Sequence, residues 1–186
     1  MKISRHVLAG AIAGFVLLVF YFAVLAVANS LAHAFSQFFE MWQWVLALSF
    51  GFGVQAGLYS FIRSALKAKA MGGATAEVAA SGGVSGGSMV ACCAHHAADV
   101  LPMIGLSGAA IFLSQYQLFF ILTGVFSNII GAIMLLAIIQ KHRLAANASV
   151  LKNFMGFDLK KARNLAAGIS VLVLGTVFWL TANKII

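Results

Sequence analysis

Residues 7–28 read VLAGAIAGFVLLVFYFAVLAVA, a run of 22 residues without a charged side chain. A transmembrane helix needs about 20 mainly apolar residues, so this stretch is long enough to cross a bilayer. It follows Lys2 and Arg5, as the apolar core of a secretory signal peptide would, but such a core has only about 7–15 residues. We therefore interpret the stretch as a retained membrane helix.

Composition extends this interpretation to the whole chain. Of 186 residues, 62% are hydrophobic and 9% are charged, whereas a soluble domain carries roughly 25% charged residues. Four further apolar stretches predict spans at 42–62, 84–101, 118–139 and 165–182. We expect an all-α integral membrane protein, a single multi-pass domain of about five transmembrane helices, and not a soluble enzyme.

Two shorter apolar stretches lie between these spans. Residues 104–113 follow Pro102 and would extend the third span beyond a kink or form a re-entrant segment. Residues 31–39 would form a short helix at the membrane interface. Neither stretch is long enough to cross the bilayer alone.

The basic residues set the orientation. The net charge is +8, and an N-terminus in the cytoplasm places every Lys and Arg except Lys184 on the cytoplasmic side, as the positive-inside rule requires. Because these residues lie in short segments between spans, we expect a lipid partner in the cell inner (plasma) membrane and no nucleic acid. The outer boundary then gathers the aromatic residues Trp42, Trp44, Tyr116 and Trp179.

Small and polar residues predict contacts between helices. Glycines four positions apart let two backbones approach closely, and amide side chains near the middle of a span usually hydrogen-bond to another helix. The glycine pairs are Gly10 with Gly14, Gly53 with Gly57, Gly82 with Gly86 and Gly83 with Gly87, and the amides are Gln55 and Asn128.

The predicted span 84–101 differs from the others in its chemistry. It holds both cysteines, two of the five histidines and one of the four acidic residues. At about 100° per residue, most of these side chains and the flanking methionines fall on one face of a helix. Polar and charged groups at membrane depth cost several kcal/mol unless they face protein, water or a metal. This face is therefore expected to point into the bundle.

Thiolate and thioether sulfur select soft ions such as Cu(I), and imidazole suits many transition metals. A carboxylate one turn away from a histidine can orient its ring through a hydrogen bond. The predicted metal ligands are Cys92, Cys93, His95 and His96, with Asp99 as the orienting carboxylate and Met89 and Met103 as further candidates.

These residues also resemble a known family. Cys92-Cys93, then Pro102, the run GLSGA at 105–109 and Tyr116 are similar in order to the first-helix signature of bacterial mercuric-ion transport membrane proteins. The resemblance covers about 25 of the 186 residues. In that family, a vicinal cysteine pair takes up the ion from the periplasmic side and relays it inward, which implies Cys92 and Cys93 as ligands. The histidines before Pro102 suit copper or a mixed site better than a site made of thiolates alone.

The leading hypothesis is a protein that binds a copper or mercuric ion and transports it, or delivers it to a membrane metalloprotein, alone or as a homo-oligomer. A second hypothesis is a thiol–disulfide electron carrier, although neighbouring Cα atoms lie about 3.8 Å apart, closer than in most disulfides. A third is an accessory subunit of a larger complex, in which His95 or His96 binds haem. The remaining alternative is structural: small buried cysteines beside a hydrogen-bond network at the membrane surface.

Overall fold

The computed structural model describes residues 3–68, 105, 107–144, 156 and 158–183. In this part of the chain there are helices and no strands. Four helices are long and apolar enough to cross a membrane, and the fifth is a single short helix. The prediction of an all-α membrane protein is thereby confirmed. The helices are α1 (Ile3–Ala28), α2 (Leu31–Ala68), α3 (Ser107–Gln115), α4 (Gln117–Lys141) and α5 (Leu159–Ala182). The predicted span 84–101 lies outside the described residues.

Helix α2 contains two of the predicted helices. The short helix predicted at 31–39 and the span predicted at 42–62 are joined in one helix, which bends at Met41, where φ is −118° and ψ is 17°. No proline or glycine occurs between residues 31 and 50, so nothing in this stretch ends the helix. The predicted boundary is therefore a bend.

Helix α3 overlaps most of the predicted apolar piece 104–113 and leads almost directly into α4. The two helices meet at Tyr116, whose backbone N–H donates to the Phe112 carbonyl at 3.0 Å and whose own carbonyl accepts from Phe120 at 3.1 Å. Backbone hydrogen bonding therefore continues through the junction, and Gly105 precedes α3 with a positive φ of 80°, a conformation that favours glycine.

Helices α1 and α2 form an antiparallel hairpin with glycine at its centre. A Cβ atom built on Gly10 would lie 2.5 Å from the carbonyl oxygen of Gly53, and one built on Gly14 would lie 2.9 Å from that of Ser49. A Cβ at Gly57 would lie 3.1 Å from the carbonyl oxygen of His6. Two of the predicted glycine pairs therefore face each other, and their missing side chains let the two backbones touch.

Helices α2 and α4 run parallel to each other. The Met41 thioether contacts Gln117 at the start of α4, and Gln55 contacts Asn128 further along both helices. At the other end, one buried cluster joins α2 to α4 and to Leu144, which lies three residues after α4 ends: Phe61, Ile62, Ala65, Leu66, Leu135, Ile138, Ile139 and Leu144. After the predicted orientation, we call the Met41 end the outer end and the Leu66 end the inner end.

Helix α5 is antiparallel to α4. The Phe178 ring lies 5.3 Å from the Tyr116 ring and 5.8 Å from the Phe119 ring, so the C-terminal part of α5 reaches the outer end. Its N-terminus is capped by Asp158, whose Oδ1 accepts a hydrogen bond from the Lys161 backbone N–H at 3.1 Å. The long helices therefore pack in the order α1, α2, α4, α5.

Large apolar side chains cover the outside of this row of helices. Phe15 on α1 is 65% exposed and Leu172 on α5 is 73% exposed. Contiguous apolar surface on this scale is rare in soluble monomers, whereas lipid acyl chains solvate it. The exposed surface therefore agrees with the apolar composition, and both describe a multi-pass membrane protein.

Candidate functional site

The predicted metal ligands stay a prediction. Cys92, Cys93, His95 and His96, with Asp99, Met89 and Met103, all lie outside the described residues. Across residues 3–68, 107–144 and 158–183, no three side chains of His, Cys, Asp or Glu come together in a group that would hold a metal ion.

The polar centre of the described bundle is a pair of amides between α2 and α4. The Gln55 Nε2 atom donates to the Asn128 backbone oxygen and to Asn128 Oδ1, both at 2.9 Å. The Asn128 Nδ2 atom donates back to the Leu48 carbonyl oxygen at 3.2 Å. Gln55 is 1% exposed and Asn128 is 6% exposed. We call these two side chains the amide clasp; they confirm the predicted hydrogen bonding between helices.

Two glycines make room for the clasp. A Cβ at Gly51 would lie 2.8 Å from Asn128 Nδ2 and 2.9 Å from Asn128 Cβ, and a Cβ at Gly131 would lie 2.9 Å from both terminal atoms of Gln55. Each amide therefore occupies a notch in the opposite helix. Sequence analysis missed both glycines because neither belongs to a glycine pair. Their signal is their spacing: Gly51 lies four positions before Gln55, and Gly131 three positions after Asn128.

The clasp lies deep in the bundle. Gln55 is 14 residues from Met41, or about 21 Å at 1.5 Å per residue; measured from Met41, this is about two thirds of the thickness of a hydrocarbon core of roughly 30 Å. Both amides are neutral at every physiological pH, so the clasp does no acid–base chemistry. Its chemical capacity is to satisfy polar groups across α2 and α4 and to fix their register.

At the outer end, the acceptor between α2 and α4 is a sulfur atom, whereas in the amide clasp the acceptors are carbonyl oxygens. The Gln117 Nε2 atom lies 3.0 Å from Met41 Sδ, and Gln37 Nε2 lies 4.0 Å from the same sulfur. Trp44 packs against the neighbouring buried cluster, and Tyr116 stacks on Phe178. Two amide side chains therefore contact a single thioether where α2 bends.

The two ends of the bundle differ in the charge of their side chains. Among the described residues, the inner end holds every basic residue, whereas the acidic Glu40 lies at the outer end. The inner end also holds Asp158, whose Oδ2 lies 3.7 Å from Lys161 Nζ. The basic residues of the inner end are Arg5, Arg63, Lys67, Lys141, Arg143, Lys160, Lys161 and Arg163.

Comparison with protein-family models, curated proteins and solved structures finds no match to this chain.

Proposed function

We propose that this protein binds a soft metal ion, copper or mercuric, within the membrane through Cys92, Cys93, His95 and His96, and that it transports or delivers the ion. The observation that carries the proposal is the concentration of sulfur, imidazole and carboxylate in one apolar segment of a chain that has only two cysteines and four acidic residues. Residues of this kind inside a membrane segment mark functional sites by default, because their burial is costly. A bound cation favours thiolate and neutral imidazole and offsets that cost.

The arrangement of α2 and α4 supports the proposal. Because the two helices are parallel, Ala68 lies at the inner end and Gln117 at the outer end. The chain between Ala68 and Gln117 therefore has to connect the inner end of the bundle with the outer end. This requirement agrees with the span predicted at 84–101, which carries the cysteines. The predicted ligands would then lie at the depth of the bilayer core.

The charge distribution supports inward movement. The basic residues at the inner end match the cytoplasmic side of a membrane, and an interior-negative potential contributes about 2.3 kcal/mol per elementary charge per 100 mV. A monovalent or divalent cation that reaches the ligands from the outer side would therefore be drawn toward the cytoplasm. The proposed direction is uptake.

The direct test is metal stoichiometry of the purified protein in detergent. We expect one Cu(I) or Hg(II) ion per chain by elemental analysis after anaerobic loading, and loss of that ion in the variant Cys92→Ser/Cys93→Ser. His142→Gln is the matched control, because it removes an imidazole at the inner end and should keep the stoichiometry. If the double serine variant binds the ion as the unaltered protein does, the proposal is wrong.

Two further measurements separate the alternative functions. In a thiol–disulfide carrier, Cys92 and Cys93 would reversibly lose two protons and two electrons to a mild oxidant as the S–S bond forms, and mass spectrometry detects the loss of two hydrogen atoms. A haem-binding subunit would show a Soret band that His95→Ala or His96→Ala removes. Uptake of the loaded ion into proteoliposomes, absent in the double serine variant, would distinguish transport from binding alone.

A further inference from the structure

A column of apolar side chains runs along the exposed surface of α1, and a cationic residue lies at its inner end. Arg5 is exposed at the inner end, and Leu8, Ile12, Val16 and Val19 follow it at positions i+3, i+7, i+11 and i+14, which share one face of a helix. All four are more than half exposed. The surface therefore offers a positive head at Arg5 and an apolar track from Leu8 to Val19 that is about 16 Å long at 1.5 Å per residue.

A second arginine adds to the charge at this end of the α1–α2 hairpin. His6 Nδ1 lies 3.0 Å from Ser60 Oγ, and the His6 ring packs edge-on against Phe61. Arg5 precedes His6, and Arg63 follows Ser60 by one helical turn, so both guanidinium groups belong to the same end of the hairpin. Both are exposed, and none of the carboxylates in the described part of the chain pairs with either of them.

This combination fits an anionic phospholipid better than a soluble anion. A free phosphate would contact the guanidinium and leave the apolar column unused, whereas a phospholipid places its phosphate at the headgroup level and its acyl chains alongside the helix. Basic residues at the cytoplasmic side of membrane helices bind acidic headgroups in this way. The bilayer that surrounds α1 supplies such a molecule at high local concentration.

We propose that the exposed face of α1 binds an anionic phospholipid. Its phosphate would lie on Arg5, assisted by Arg63, and an acyl chain would lie along Leu8, Ile12, Val16 and Val19. This surface lies on described residues alone, so it stands or fails separately from metal binding. Arginine suits the site because its planar guanidinium forms two parallel hydrogen bonds with phosphate oxygens.

The matched control is another arginine at the same end. The Arg163 Nη2 and Nε atoms lie 3.3 Å and 3.4 Å from Asn164 Oδ1. The positions that follow Arg163 on its own face are the half-buried Ala166 and Ala167 and the buried Ser170. Arg163→Gln therefore removes one positive charge from the inner end without touching an exposed apolar column.

The test counts lipids bound to delipidated protein by native mass spectrometry, with phosphatidylglycerol and phosphatidylcholine titrated separately. We expect Arg5→Gln to weaken phosphatidylglycerol binding about fivefold, which corresponds to ~1 kcal/mol for one cationic side chain near an anionic surface. Phosphatidylcholine binding should not change. Arg5→Lys should keep most of the preference for phosphatidylglycerol, and Arg163→Gln should bind both lipids as the unaltered protein does.

Three results would overturn the proposal. Equal losses in Arg5→Gln and Arg163→Gln would mean that charge acts diffusely over the whole inner end. No loss in either variant would mean that Arg5 does not contact the headgroup. Displacement of phosphatidylglycerol by excess inorganic phosphate would assign the arginines to a soluble anion instead. A thermal unfolding curve for each variant shows that the folded protein is being compared.

Discussion

The two faces of α2 are packed in opposite ways. Against α1, the helix presents Gly53 and Gly57, and backbone meets backbone with no side chain between them. Against α4, it presents Gln55, whose amide reaches across to Asn128. At the middle of α2, therefore, the α1 contact depends on missing side chains, whereas the α4 contact depends on specific polar ones.

The comparison shows two solutions to one physical problem. Within lipid, apolar burial does little to hold helices together, because acyl chains are as apolar as leucine. The α1–α2 hairpin gains dispersion contacts through close approach, and the α2–α4 interface gains hydrogen bonds whose alternative is a polar group in hydrocarbon. The two faces should therefore fail under different substitutions.

The largest effect is expected from Gly10→Ala. The new Cβ would lie 2.5 Å from the Gly53 carbonyl oxygen, and because that oxygen belongs to the backbone, the two helices must move apart. We expect a loss of about 2–3 kcal/mol in the free energy of unfolding, at the upper end of overpacking costs. Unfolding by SDS titration in mixed micelles measures it.

Gly168→Ala is the control for this substitution. Gly168 lies in α5 with nothing within 4 Å of its Cβ position, and alanine is the better helix former. It should leave the stability unchanged or slightly raised. A similar loss in both variants would mean that an added methyl group destabilises these helices wherever it is placed, and that the close approach of α1 and α2 is not the cause.

Asn128→Ala tests the other face, with a smaller expected effect. It removes the hydrogen bond from Gln55 Nε2 to Asn128 Oδ1 and the bond from Asn128 Nδ2 to Leu48. We expect a loss of about 1–2 kcal/mol. A double-mutant cycle with Gln55→Ala should give a coupling energy between about 0.6 kcal/mol, the average for hydrogen bonds between membrane helices, and about 1.7 kcal/mol, the largest value measured for one. A coupling energy of zero would show that the amides are neighbours without cooperating.

The smallest effect is expected from Gly131→Ala. Here the new Cβ would meet the terminal atoms of Gln55 at 2.9 Å, and the end of a flexible side chain moves more easily than backbone. We expect a loss of about 0.5–1 kcal/mol from a displaced rotamer. The loss should disappear when Gln55 is already alanine. If it persists in that background, the notch at Gly131 serves something other than the clasp.

Sequence alone predicted the membrane fold well because apolar length is a strong local signal. It predicted the helix ends less well. The fifth span was predicted from residue 165, but α5 begins at Leu159 because Asp158 caps a turn of polar residues that precedes the apolar stretch. A span predicted from hydropathy gives the limits of the apolar stretch, whereas the helix itself continues for as long as its backbone hydrogen bonds are satisfied.

The packing partners were less accessible to sequence analysis. Gly10 and Gly53 stood out by their spacing, but the same spacing occurs in several segments and does not select a pair. Gln55 and Asn128 were recognisable as polar groups in apolar spans, whereas Gly51 and Gly131 acquire meaning only when two helices are seen in register. The metal ligands depend on one local pattern, and metal stoichiometry tests them directly.

The separation of the clasp partners along the chain has a consequence for biosynthesis. The α1–α2 hairpin consists of residues 3–68 and can assemble as soon as they have entered the bilayer. Gln55 and Asn128 are 73 positions apart, so at about 5–20 residues per second the ribosome needs roughly 4–15 s to reach the second amide after the first. Throughout this interval, the newly made α2 is held on α1 by contacts that need no later helix: the close approach at the glycines, the His6–Ser60 hydrogen bond and the packing of Tyr21 against Phe38. The hairpin is therefore the template on which the later helix finds its register.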